Sequence, residues 1–396
     1  MIENNFDNNV PQEERKIKIV NKLILVGNGF DLSLGLKTSY EDFLHWYFRK
    51  IILQGLKKVD VVKDNRGNLI YNHFEDEMVS FSCSSYVEFI SHFEKDFDEH
   101  FFDFKTIRDK FLKKQVPQDP FELKFKSKLL KKICEESVSG WVDIESAYFN
   151  LLKKNLDVTS KGIDILNKEL EYIKIELNEY LNQLDYSFSK DYQIARPYIT
   201  QFVSDVSKEE LISSFDKNET VSTEKIFFLN FNYTPSVYNV VNHIRKNNED
   251  NKQPDVIIND IHGCLHDVNS MVFGYGDEID DGYKTIEGLN DNRFFEGIKS
   301  FKYSENSNYR ELLRFLNSND YQVCVYGHSC GLSDRLMLNE VFEHDKCKSI
   351  KIYYYNKNEF VNKTMDISRH FKNNQIMRQR IVEFNQADKI PQLKKN

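Results

Sequence analysis

The sequence predicts an α/β protein whose mostly parallel sheet is interrupted by a long helical insertion. Three observations predict it. Short continuous apolar runs such as Leu23-Ile24-Leu25-Val26 stop at polar or glycine turns, as strands buried on both faces do. Helical periodicity follows several of these runs, and strands that alternate with helices join through right-handed crossovers into a parallel sheet. Between residues 53 and 223 strand signals are few and helical spacing dominates.

The first apolar run is broken by Gly27-Asn28-Gly29. Thr38 and Glu41 then form a capping box, and Tyr40, Phe43, Leu44, Tyr47, Phe48, Ile51 and Ile52 lie on one helical stripe. Within the middle region Ile163, Leu166, Leu170, Ile173, Leu177, Tyr180 and Leu184 alternate spacings of three and four, a heptad seam. An antiparallel helical hairpin inside the insert satisfies that seam. A homo-oligomer formed through the insert is the alternative.

Strand signals resume with Ile226-Phe227-Phe228-Leu229, and Thr234 with Pro235 opens the next helix. Val256-Ile257-Ile258, Met271-Val272-Phe273, Tyr321–Tyr326 and Ile350–Tyr355 read as further strands, with a helix from about Ser333. The sheet thus begins before the middle region and finishes after it. Residues 19–52 and 224–396 are assigned to one Rossmann-like nucleotide-binding domain, and residues 53–223 to a helical insertion subdomain. Residues 1–18 are polar and expected to fray.

Composition limits the function classes. A chain of 396 residues exceeds one ordinary core, and 40% hydrophobic content suffices to build more than one. A net charge of −8 argues against general DNA binding. The six cysteines form no Cys-x-x-Cys pair, and no signal peptide is evident, so they read as reduced thiols of a cytoplasmic protein. No apolar run approaches the ~20 residues of a membrane span, so no membrane partner is expected.

Ligands of open α/β sheets bind at the carboxyl ends of the strands, and four turns there carry unusual residues. Gly27-Asn28-Gly29-Phe30-Asp31 suits a phosphate, because glycine lets the backbone approach it and a helix N-terminus follows. It departs from G-x-G-x-x-G at Leu32, and an ordinary tight turn is the alternative. Asn230-Phe231-Asn232-Tyr233-Thr234 offers two Asn side chains to orient a ribose or a water, or else simple turn and cap chemistry. His262 with Gly263 offers a general base beside an open backbone, or a structural histidine. His262, Cys264 and His266 lie in one short segment without a second ligand cluster, so no metal is expected. Gly327-His328-Ser329-Cys330-Gly331, with Asp334 behind, matches a G-x-S-x-G nucleophile elbow. Asp345 or Asp366 with His370 would have to complete a serine hydrolase, and little chain remains to present them. The alternative is a glycine-rich turn that holds a ligand through Ser329 and Asp334.

These motifs together resemble the AbiH family of bacterial phage abortive-infection proteins. Val26-Gly27-Asn28-Gly29-Phe30-Asp31-Leu32 with Gly35-Leu36-Lys37-Thr38-Ser39-Tyr40 is similar to its opening. Trp141-Val142-Asp143-Ile144-Glu145, the Asn230–Thr234 segment, Ile261-His262-Gly263, Phe273-Gly274 and Gly327-His328-Ser329 with Asp334 match later motifs in order. AbiH is in turn similar in layout to sirtuin-like NAD-hydrolysing domains. That resemblance implies Asn230 as the active-site Asn and His262 as the base. It implies Gly27, Asn28, Gly29, Asp31, Asn232, Gly263, Gly327, Ser329 and Asp334 around a bound nucleotide, with NAD as substrate or ligand. Asn232 stands where the sirtuin-like pattern has Asp, and the zinc-binding cysteines of that wider group have no counterpart. The implied function is antiphage defence, responding to a phage trigger, by hydrolysis of the nicotinamide–ribose bond. A non-catalytic nucleotide sensor that signals through the insert is the second reading, and a serine hydrolase built on Ser329 the third.

Overall fold

A computed structural model describes residues 16–57, 62–63, 66–67, 69–70, 72–83, 108, 112, 121–137, 143–154, 160–212, 219–246 and 254–393. Residues 1–15 of the segment expected to fray, and Trp141 and Val142, lie outside the described residues. The first strand is β1 (Lys16–Val26), followed by α1 (Asn28–Ser33) and α2 (Tyr40–Lys57). The middle region holds β2 (Val62–Lys63), β3 (Leu69–Ile70), β4 (Asn72–Glu75), β5 (Val79–Cys83), β6 (Phe121–Phe125), α3 (Lys128–Ser137), α4 (Ile144–Lys154), α5 (Ser160–Asn182), α6 (Tyr192–Val203) and β7 (Glu219–Ser222). Then come β8 (Lys225–Asn230), α7 (Ser236–Lys246), β9 (Asp255–Asp260), α8 (Asp281–Glu287), α9 (Lys299–Lys302) and α10 (Asn308–Leu316). The last elements are β10 (Asp320–Tyr326), α11 (Arg335–Glu343), β11 (Cys347–Tyr353), α12 (Lys357–Ser368) and α13 (Asn374–Arg380).

The main sheet has six strands in the order β11-β10-β1-β8-β9, with β7 beside the first half of β1, and every pairing in it is parallel. Side chains alternate between the faces of each strand, and both faces are covered. Leu23, Leu25, Phe227, Leu229, Val323, Val325, Ile350 and Ile352 pack with α10, α11 and α12 on one side. Ile24, Val26, Ile226, Phe228, Cys324 and Tyr326 pack with α6 and α7 on the other. This is the expected α/β fold, in a Rossmann-like layout.

The middle region carries more strand than its periodicity suggests, because β4, β5 and β6 form a three-stranded antiparallel sheet. Its helices bury the α2 stripe and the heptad seam in a single core, so the seam is satisfied within the chain. Its final helix, α6, covers the main sheet. Two local expectations are corrected. Ser39 and Asp42, not Thr38 and Glu41, exchange the capping bonds of α2: Ser39 N donates to Asp42 Oδ2 (3.2 Å) and Asp42 N to Ser39 Oγ (3.0 Å). Met271–Phe273 is buried but is not a strand; the Val272 amide donates to the His262 carbonyl at 2.9 Å, which turns the segment back along the loop after β9. No described helix is long and apolar enough to cross a membrane.

One buried lysine ties the layers together. Lys22 on β1 donates from Nζ to the carbonyls of Gln201 (3.2 Å), Phe202 (2.9 Å) and Ser204 (2.9 Å). These are the unpaired acceptors that end α6, where a cation is also favoured by the helix dipole. Burial pulls the Lys22 pKa below that of a free lysine. Replacing it by methionine keeps the apolar stem and leaves those carbonyls without their donor. Lys22→Met is expected to cost about 1–3 kcal/mol in urea unfolding, whereas exposed Lys161→Met on α5 should leave the midpoint unchanged.

Candidate functional site

Strands β1 and β10 are neighbours and end in register at Val26 and Tyr326. The chain runs from β1 to β8 and β9 on one side and to β10 and β11 on the other, so the order reverses between these two ends. Open α/β sheets bind ligands at that crevice. In this protein the two turns interlock and fill it. Gly29 N donates to Gly327 O at 2.8 Å, and Gly27 N to Tyr326 O at 3.3 Å. A Cβ on Gly27 would stand 2.5 Å from His328 Cα, and one on Gly29 would stand 2.8 Å from Gly327 Cα. Gly327 itself has φ +76°. The glycines therefore answer to backbone packing, and the Gly29 amide expected to face phosphate is committed to Gly327. Asn28 stays exposed and accepts from Thr38 Oγ1 at 2.6 Å. Gly29→Val is expected to lower stability by about 1–3 kcal/mol through overpacking, visible as a lowered urea midpoint without ligand.

The turn after β8 knits this edge further. Asn232 Nδ2 donates to Gly27 O at 3.1 Å. Asn230 donates both amide hydrogens within the fold, to Asn232 O (3.0 Å) and Asp260 Oδ1 (2.8 Å), and accepts from Asn232 N (3.2 Å). Its amide thus joins the ends of β8 and β9 and has no donor left for a water or a ribose. Asp31 is buried, with Oδ2 accepting from Thr234 Oγ1 at 2.7 Å and Oδ1 unpartnered among the described residues. Burial raises its pKa to about 6 against the pull of Thr234, Ser236 and Asn232. A carboxyl raised in the folded state contributes stability below its unfolded pKa and loses it as pH rises through about 6. Asp31→Asn should therefore be more stable than wild type at pH 7, by about 1–3 kcal/mol, and the difference should vanish in unfolding measured near pH 4.

A cluster of buried charged and titratable side chains lies beyond these turns. His262 follows β9, Asp334 follows β10, Lys299 opens α9, and Glu145 comes from α4 in the middle region. Lys299 Nζ donates to Asp334 Oδ1 at 2.8 Å and to Glu145 Oε2 at 2.9 Å. His262 Nε2 lies 3.2 Å from the same Asp334 Oδ1 and 3.3 Å from the Tyr303 hydroxyl. His328 Nδ1 accepts from Cys330 N at 3.0 Å, so its proton sits on Nε2, 3.6 Å from Asp334 Oδ2. The Phe231 ring lies against both imidazoles, with centroids at 5.0 Å from His262 and 4.0 Å from His328. Gly263, at φ +81°, turns the chain tightly beneath Ser270 next to His262.

Burial governs the protonation of this cluster. It opposes the charges of Lys299 and Asp334, yet their pairing prevails: the lysine pKa rises, and Asp334 falls well below the usual carboxylate range with help from His262 and His328. Burial and then Lys299 lower the His262 pKa against the pull of Asp334, and burial takes His328 down to about 3. Glu145 is raised by burial to about 7 against the pull of Lys299. A neutral imidazole beside an ionised carboxylate can take up a proton and have the resulting charge stabilised.

Ser329 is exposed, and its Oγ accepts only from Gly331 N (3.4 Å) among the described residues. His370 Nε2 instead meets the Cys330 carbonyl at 2.8 Å, so His370 is not placed as the base of a nucleophile elbow. Among the described residues no group of three or more His, Cys, Asp or Glu could hold a metal ion. His262 and Asp334 thus come together, while Asn230, Asn232 and the glycines frame the edge. Lys299 and Tyr303 were not legible as site residues, whereas Glu145 closes the Trp141–Glu145 motif, which was its available signal. His328 was passed over inside its motif, although its place between Gly327 and Ser329 was the available signal.

Comparison with curated proteins finds no match. A protein-family model described as bacteriophage abortive infection AbiH matches residues 23–356, a span that holds every residue of the cluster. The chain therefore belongs to the AbiH family and to phage abortive-infection defence.

Proposed function

We propose that this protein acts in abortive infection by binding NAD, or a related nucleotide, and hydrolysing its nicotinamide–ribose bond. The observation that carries the reading is the buried His262–Asp334 pair, anchored by Lys299 at the carboxyl edge of a parallel sheet. Perturbed titratable groups gathered at such an edge are the usual mark of a catalytic centre. Nicotinamide leaves with the bonding electron pair and the ribose becomes oxocarbenium-like. Water adds to it and gives its proton to His262, whose new charge faces Asp334. Asn28 and Ser329, the exposed side chains of the interlocked turns, form the rim for the phosphates. Lys363, whose Nζ meets the Ser329 carbonyl at 2.7 Å, supplies a cation beside it. Asn230 and Asn232 serve by holding that edge rigid.

A second reading, a nucleotide sensor without turnover, is favoured by one contact: Glu145 ties the middle region directly to Lys299. Incubating purified protein with NAD, with and without lysate of phage-infected cells, and following free nicotinamide separates the two. Release is expected, and His262→Ala should lower it about 10²–10⁴-fold while the variant stays folded. NAD binding without nicotinamide release, lysate included, would replace the hydrolase by the sensor. Undiminished release by His262→Ala would remove the base.

A further inference from the structure

We infer that Glu145, carried by the helical middle region, is a second catalytic carboxylate of this site, the one that faces the positive charge developing on the ribose. The inference rests on the hydrolase reading above and gives the insert a chemical task within it.

The two carboxylates that share Lys299 are not equally occupied. Asp334 Oδ1 meets both Lys299 and His262, and its Oδ2 faces the Nε2 proton of His328. Glu145 has Oε2 on Lys299 and Oε1 at a long 3.3 Å from the Gly274 amide. A carboxylate offers about four acceptor positions; three partners face Asp334 and two face Glu145, so Glu145 keeps the greater capacity for a ligand. Of the other carboxylates at this edge, Asp260 is engaged with Tyr238 and Asn230 and Asp277 with Arg335, while Asp31, whose Oδ1 has no partner among the described residues, makes no ion pair with the Lys299 cluster.

Charge points the same way. One ammonium lies between two carboxylates while both histidines are held neutral, so the ionised cluster has one negative charge in excess. Tyr40 and Tyr233 lie close enough to Glu145 to feel its charge. Tyr233 donates to Val272 O at 3.0 Å, whereas the half-buried Tyr40 makes no hydrogen bond among the described residues. An anionic site bordered by aromatic rings suits a flat cation, and the pyridinium of oxidised NAD is one. When the bond between C1′ and the ring nitrogen breaks, its electron pair discharges the pyridinium and neutral nicotinamide departs. The positive charge passes to C1′ and the ribose ring oxygen, opposite Glu145. Water then adds to C1′, and its proton goes to His262. The site should accordingly prefer a cationic N-riboside to a neutral one such as the reduced dinucleotide.

Glu145 acts here as the ionised form. Lys299, Asp334 and Asp143 are the charged groups that face it, with the hydroxyls of Tyr40, Tyr233 and Tyr303 nearby. Because burial holds its pKa near 7, turnover should rise as pH increases through about 7.

The test compares full-length wild type with Glu145→Gln, which keeps the shape and an acceptor for Lys299. Nicotinamide release from NAD gives kcat and KM across pH, and calorimetry gives affinity for a carbocyclic NAD analogue that cannot form the oxocarbenium ion. The variant should lose about 100-fold or more in kcat, lose the limb near pH 7, and bind the analogue within about tenfold of wild type. A kcat within threefold of wild type, or a loss matched by loss of folded protein in circular dichroism, overturns the inference. If Glu145→Gln does not fold, Glu145→Asp retains the charge but withdraws it by one methylene. It should lower kcat and keep the limb, and full activity would again overturn the inference. An active wild type with an equally active variant removes Glu145 alone; a wild type that binds NAD and releases nothing removes the hydrolase reading with it.

Discussion

The ammonium of Lys299 is the constraint on which the carboxyl edge of this sheet depends. It is 1% exposed, and an ion taken so far from water costs several kcal/mol unless partners offset the loss. Asp334 and Glu145 offset it, one from the turn after β10 and one from α4. Because the same Asp334 oxygen meets His262, the lysine also sets the field in which that imidazole gains or loses a proton. Three segments far apart in sequence are held in one arrangement by one charge, and the middle region cannot leave the sheet without uncovering it.

A second constraint displaces the site from its usual place. The crevice at the reversal of strand order is closed by backbone on backbone, with Gly29 bonded to Gly327 and no room for a Cβ on either turn. The buried charge cluster lies to one side of that crevice, over the ends of β8, β9 and β10, where the Phe231 ring lies against both histidines. Cys330, at φ +54°, carries the strain of the second turn and donates its amide to orient His328.

The fold was legible because its signals are local. Leu23 to Val26 reads as a buried strand by its apolar run alone, and the α2 stripe by its spacing, since periodicity needs no knowledge of partners. His262 and Asp334 were legible because residues at strand ends share an edge whatever the sheet order. Lys299 was not, and Glu145 was marked only by its motif, since their pairing arises from the contact between α4 and α9, which no spacing encodes. Asn230 misled for the opposite reason: an Asn after a strand looks available until both its donors are found on Asn232 and Asp260. Met271–Phe273 has the composition of a strand but pairs through a single amide bond to the His262 loop, so tertiary burial rather than a ladder explains its apolar residues.

Strand β1 lies at the centre of the sheet, yet its partner on one side, β10, is made some three hundred residues later. During synthesis the end of β1 stays unpaired on that side until β10 leaves the ribosome, because contacts so distant in sequence close last. Asp334 lies in the turn that follows β10, and without it Lys299 keeps only Glu145 as a partner and His262 loses its carboxylate. A partly made chain therefore holds no assembled charge cluster, and strand order alone delays that arrangement until most of the chain has been made.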